Sequence, residues 1–151
     1  MARQPSLTLD KQLCFAVYST AHAFNRFYKP LLDRIGLTYP QYLVMIVLWE
    51  GDGVTVKHLG ERLMLDSGTL TPLLKRLETL GFVSRRRDAA DERQVKVTLT
   101  EAGRALRAKA GEIPPAVACG TQLDEAEFTA LMGTLETLRA RLLAASGRAP
   151  S

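Results

Sequence analysis

The sequence predicts a mainly α-helical chain carrying one small β-hairpin, on three observations. Apolar residues recur at helical spacing over most of the 151 positions. Short β-like runs appear only between Phe82 and Leu99. Turn residues punctuate the helical stretches at Gly36, Gly51-Asp52-Gly53, Leu65-Asp66-Ser67-Gly68 and Gly81. The length and a 46% hydrophobic content fit one core-bearing domain over residues 1–151 and not two. A charged fraction of 24% excludes gross disorder, and no run of about 18 apolar residues exists to cross a bilayer. The opening MARQPSLTLDKQLCF holds no long apolar stretch, so no signal peptide is expected. Two cysteines are too few for a disulfide scaffold or a Cys-spaced zinc site. The expectation is a reducing, cytoplasmic compartment with no metal, no cofactor and no membrane attachment.

Each element follows in order. Leu13, Ala16, Val17, Phe24, Phe27 and Leu31 predict a long amphipathic helix over about 9–34, capped by Asp10 or Thr8 and bent or ended by Pro30. Tyr42, Leu43, Ile46 and Val47 give a second over roughly 40–50, and Val56, Leu59, Leu63 and Met64 a short third. Ser67 is placed to cap a fourth, which runs through Leu70, Leu73, Leu74, Leu77 and Leu80 to Gly81. Phe82-Val83-Ser84-Arg85 then pairs with Val95-Lys96-Val97-Thr98-Leu99, with Arg86 to Gln94 as the hairpin tip. Thr100 caps a fifth helix over about 101–112, and Pro114-Pro115 interrupts the chain. Asp124 opens a sixth through Phe128, Leu131, Leu135, Leu138 and Leu142. There are no internal repeats, and the tail Ser146 to Ser151 reads as disordered.

Charge is unevenly spread along this plan. The net charge is +4, yet residues 75–109 hold ten basic against five acidic groups, which leaves the remainder slightly negative. Such a cluster is often only a solvated face. Here it coincides with a short helix, a tight turn, a longer helix and a strand pair: a winged helix-turn-helix, whose second helix enters the roughly 12 Å wide major groove of double-stranded DNA. With the leucines inward, that helix offers Ser67, Thr69 and Thr71 in its first turn and Lys75 and Arg76 further along. Ser67 and Thr69 have capping as the alternative role. In the wing Arg85, Arg86 and Arg87 are candidate backbone contacts, and Arg93 can reach a minor groove. Asp88 or Asp91 is placed to neutralise Arg87 instead.

The run Leu63-Met64-Leu65-Asp66-Ser67-Gly68-Thr69-Leu70-Thr71-Pro72-Leu73-Leu74-Lys75-Arg76-Leu77-Glu78, with Gly81-Phe82-Val83 and Asp91-Glu92-Arg93 after it, resembles the core of MarR-type repressors. Within that family it is most similar to the organic hydroperoxide resistance regulators, over nearly the whole of residues 9–143. The resemblance implies a DNA-binding core over about 36–99, with Asp66 on its DNA-facing segment. It also implies an obligate homodimer joined by the first, fifth and sixth helices (about 9–35 and 100–145), a pseudo-palindromic operator, and repression of a peroxide-detoxification gene.

Cys14 lies in the first turns of its helix, where unpaired N–H groups favour a thiolate, and Lys11 adds positive charge. A lone cysteine on an apolar helix is also a common inert core residue. The resemblance decides between the two, because it implies that Cys14 is the peroxide-reactive sensor and that Tyr28 and Tyr39 hydrogen-bond it. Tyr28 is fourteen residues on, roughly 21 Å along one helix, so it can meet only a partner subunit's Cys14. Tyr18, one turn after Cys14, is placed either to touch it in cis or simply to pack. Cys119, expected in a mobile loop after the two prolines, is by the same resemblance the thiol that resolves Cys14 across the dimer. The implied inducer is an organic hydroperoxide. Three rivals remain: a repressor released by a small aromatic ligand, a thiol peroxidase-like enzyme, and an architectural DNA-binding protein without a sensor, which would not need Cys14. The second lacks machinery, since His22 and His58 are the only histidines and no Cys-His-Asp arrangement is visible, so no enzyme is expected.

Overall fold

A computed structural model describes residues 7–147. Residues 1–6 of the opening segment and 148–151 of the tail lie outside the described residues. Seven helices and three strands follow in the order α1 (Leu13–Asp33), α2 (Tyr39–Glu50), β1 (Val54–Thr55), α3 (Val56–Leu63), α4 (Ser67–Thr79), β2 (Val83–Arg87), β3 (Val95–Leu99), α5 (Glu101–Ala110), α6 (Ile113–Thr121) and α7 (Glu125–Ala145). No helix among the described residues is long and apolar enough to cross a membrane.

The helix-turn-helix and wing form as their residues dictate. Leu59 on α3 and Leu70, Leu74 and Leu77 on α4 are fully buried against Val44, Met45 and Leu48 of α2. Gly81, with φ at +84°, turns the chain out of α4 into β2, a conformation that glycine adopts without steric cost. Strands β2 and β3 pair antiparallel from Val83 opposite Leu99 to Arg87 opposite Val95. The outer edge of β3 is paired as well, by the two-residue β1, so the sheet has three strands in the order β1-β3-β2. At two residues, Val54–Thr55 is too short to show a strand pattern in the sequence. Asp52 secures it: its Oδ1 accepts from the N–H groups of Gly53 and Leu99, both at 2.8 Å.

Several expectations need correction. The first helix does not run unbroken from residue 9. Leu9–Lys11 is a 3-10 turn, α1 starts at Leu13 behind Gln12, and neither Thr8 nor Asp10 is its N-cap. Pro30 sits inside α1 without ending it. The cap of α4 is Asp66, whose Oδ1 accepts from Thr69 N–H at 2.7 Å, and Ser67 is the first helical residue. A carboxylate one residue earlier took the place given to the hydroxyl. The fifth helix ends at Ala110, two residues early. Pro114 and Pro115 begin α6 and do not interrupt the chain, since the first turn of a helix has no internal use for the N–H they lack. Cys119 is therefore on a helix, not in a mobile loop. Thr100 and Asp124 do cap α5 and α7, the latter in a capping box with Glu127.

Candidate nucleic-acid interface and thiol sites

Burial of its four leucines fixes how α4 is turned. Ser67, Thr69, Thr71, Lys75 and Arg76 consequently all stand exposed on the opposite side. Asp66 is held at the head of this face, its carboxyl kept below the usual range first by the Thr69 N–H and then by the Thr69 hydroxyl. The Thr71 hydroxyl donates to Ser67 O at 2.8 Å, which leaves its methyl group and lone pairs for a ligand. Lys75 and Arg76 form no ion pair among the described residues.

The wing arginines differ from one another. Arg85 is bound to Glu78 at the end of α4: both its N–H (3.1 Å) and its guanidinium (3.4 Å) donate to that carboxylate. These bonds hold Glu78 below the usual carboxylate range. Arg85 thus ties the wing to α4, a role that sequence reasoning missed. Arg86 is exposed. Arg87 is not neutralised by Asp88 or Asp91, because its Nη1 donates to Glu92 O at 3.2 Å. Those two acids instead accept from backbone N–H groups of the tip, at Ala90 and Arg93. Arg93 is at the tip with its side chain 94% exposed, 3.7 Å from Asp91.

Cys14 and Cys119 are both free and exposed. The fold keeps them apart within one chain. Gly120, next to Cys119, lies so close to the Phe27 ring that a Cβ there would collide with it. Phe27 is thirteen residues beyond Cys14 on α1, roughly 20 Å at 1.5 Å per residue. Tyr28 and Tyr39 do meet, with ring centroids 4.9 Å apart, and Tyr42 joins them at 6.0 and 6.5 Å. In the sequence Tyr42 is marked only as an apolar helix position, and its apolar neighbours in α2 give no sign of a third phenol. Burial first, then repulsion from the Tyr39 and Tyr42 phenolates, pushes Tyr28 up to about 12. Burial raises Tyr39 and Tyr42 too. All three hydroxyls therefore stay protonated near neutral pH and can donate, the chemistry a thiolate needs. Tyr18 packs edge-on against His22 with centroids 4.4 Å apart.

The arms present a different surface. α7 buries none of its residues and α1 only Leu32. Phe128, Leu131, Met132 and Leu135 of α7 and Val17 and Phe24 of α1 wall an open apolar cleft of about 900 Å³. Tyr28 and Tyr42 reach the same cleft.

Comparisons with known proteins place the chain among transcriptional regulators. A family model described as Transcriptional regulator SarA/Rot matches residues 26–109. The HTH-type transcriptional regulator TtmR of Methylorubrum extorquens is 53% identical over 96% of this chain and 74% of its own length. The organic hydroperoxide resistance transcriptional regulator of Bacillus subtilis is 45% identical over 87% and 90%. AbfR of Staphylococcus epidermidis, solved overoxidized and bound to DNA, is 39% identical, covers 89% of this chain and 94% of its own, and superposes with a TM-score of 0.74. Its reduced, DNA-bound form gives 0.73, and the disulfide-formed AbfR gives 0.62.

Proposed function

This chain belongs to the MarR-type transcriptional regulators of the organic hydroperoxide resistance kind, and from that premise we propose that it is a homodimeric, cytoplasmic repressor, not an enzyme, that leaves its operator when an organic hydroperoxide oxidises Cys14. One observation carries the reading. Cys14 is exposed at the head of α1, with its own chain's Tyr28, Tyr39 and Cys119 held at the level of Phe27 and Tyr28, about 20 Å along the helix. Only a second subunit can supply those groups. The bare apolar faces of α1 and α7 are the surfaces that would receive it.

The chemistry balances without a cofactor. The Cys14 thiolate attacks one peroxide oxygen, the O–O bond breaks, an alcohol leaves with a proton, and sulfur loses two electrons to become a sulfenic acid. The partner subunit's Cys119 thiol then attacks that sulfur, water leaves, and a disulfide closes. Closure requires the two Cα atoms to lie within about 7 Å, and where the reduced dimer holds them further apart the helices carrying them shift. The recognition helices of a dimer must match half-sites about 34 Å apart, and a shift in the arms spoils that register. AbfR has been solved on DNA both reduced and overoxidized, which supports assigning release in this chain to the disulfide and not to oxygenation of sulfur alone.

The test is a gel shift with a duplex from beside the protein's own gene, before and after an organic hydroperoxide. Wild type is expected to release DNA and to run as a crosslinked dimer on non-reducing gels. Cys14→Ser and Cys119→Ser should stay bound and uncrosslinked. Release of Cys14→Ser refutes the sensor, and oxidised wild type running as a monomer refutes the intersubunit bond.

A further inference from the structure

The major and minor grooves of DNA are separated by a single sugar-phosphate strand. A protein that sets α4 in the major groove and the β2–β3 hairpin against the neighbouring minor groove must seat that strand between the two. A crevice of about 370 Å³ lies in that position. Its polar walls are Thr55 and Lys57 at the start of α3, Thr71 on α4, and Arg85, Arg93 and Gln94 of the wing, set beside the apolar Val56, Leu74 and Val95. No acidic side chain is among the residues that line it.

The lining groups are not equivalent. Arg85 is held by Glu78 and Arg93 is paired with Asp91, whereas Lys57 forms no ion pair among the described residues. The Thr55 hydroxyl accepts from His58 N–H at 3.1 Å, so its own proton remains available to an anion. We propose that this crevice seats one backbone phosphate of bound DNA, with Lys57 as its charged ligand and the Thr55 hydroxyl as a second donor. The site rests on the DNA-binding reading and extends it to α3, which no candidate contact had included.

Each phosphate neutralised steepens the fall of log K with log[salt] by about 0.9 on double-stranded DNA, which gives a direct readout. Fluorescence anisotropy of the promoter duplex and of a scrambled duplex, titrated across KCl concentrations, would compare wild type with Lys57→Gln, Lys57→Arg and Lys29→Gln. Lys29 is already paired with Asp33 on α1 and serves as the control. Lys57→Gln should lose about 1.8 of slope on both duplexes, about 0.9 for each of the two crevices of a dimer, with Lys57→Arg and Lys29→Gln unchanged. Should wild type bind and Lys57→Gln keep the full slope, the crevice assignment is overturned while DNA binding stands. Should wild type bind neither duplex at low salt, the DNA reading falls and takes the crevice with it.

Discussion

The DNA-facing core and the two helical arms are built on opposite principles. In the core the apolar residues of α2, α3, α4 and the sheet face one another, and Leu59, Leu70, Leu74 and Leu77 are nearly or wholly removed from water. In the arms α1 and α7 carry comparable apolar stripes, yet Tyr18 is 63%, Leu142 62% and Phe128 55% exposed. A stripe at helical spacing therefore says that a face will be buried, not against which chain. The core stabilises itself; in the proposed dimer the arms are completed by association.

The sharpest way to break that contrast is to charge an arm. Leu135→Glu on α7 should turn the dimer into a monomer by sedimentation and weaken promoter binding roughly a thousandfold, the low end of the gap between specific and non-specific affinity. Amide hydrogen exchange in α2, α3 and α4 should remain protected in that monomer. Loss of protection there would mean that the core depends on the arms after all.

Charging an arm leaves the core's own packing untested, and Leu74→Ala addresses it. Removing a fully buried leucine costs about 2–5 kcal/mol, measurable as a lower urea midpoint with an unchanged slope. Two glycines extend the contrast at smaller cost. A Cβ at Gly103 in α5 would run into the backbone carbonyl of Phe82, which the Thr100 N–H also holds, and backbone there cannot give way. Gly103→Ala should cost about 1–3 kcal/mol by overpacking. At Gly120 the obstacle is the far end of the Phe27 side chain, 41% exposed and free to swing. Gly120→Ala should be near neutral by thermal melting, since alanine's better helix propensity offsets the displaced ring. Equal losses at both positions would erase the distinction between a closed core and an open arm.

Legibility followed the same division. Periodicity found α2, α3, α4, the wing and the exposed polar face of the recognition helix because those signals are local. The two-residue β1 carries no pattern of its own and exists because β3 has an open edge and Asp52 reaches across to Leu99. Helix α6 was hidden by reading Pro114-Pro115 as a break when they are tolerated in a first turn. Tyr28 and Tyr39 came from family resemblance, and Tyr42 from neither source, because three phenols from α1 and α2 are brought together only by packing. The Glu78 clamp on Arg85 was equally invisible: seven residues apart across a helix end and a turn, the pair has no sequence signature.

That clamp supplies the smallest and most specific effect. The Glu78 carboxyl is held below its ordinary 4.5 mainly by the Arg85 side chain and then by its N–H. A group depressed in the folded state adds stability that is whole above its unfolded value and disappears as pH falls through the lowered one. Acidification past 4.5 should therefore loosen the wing from α4 while the leucine core, which carries no charge, holds. In NMR spectra the Arg85 amide should titrate with a midpoint under 4.5, and Glu78→Gln should abolish that step with Leu74 and Leu77 amides unmoved. An exposed pair contributes little to global stability, so the change in melting temperature should be slight. What should move is the side of the wing that Arg85 ties to α4; a wing that holds its place as Glu78 protonates would show that the sheet, anchored by buried Val83, Val97 and Leu99, aims it without the clamp.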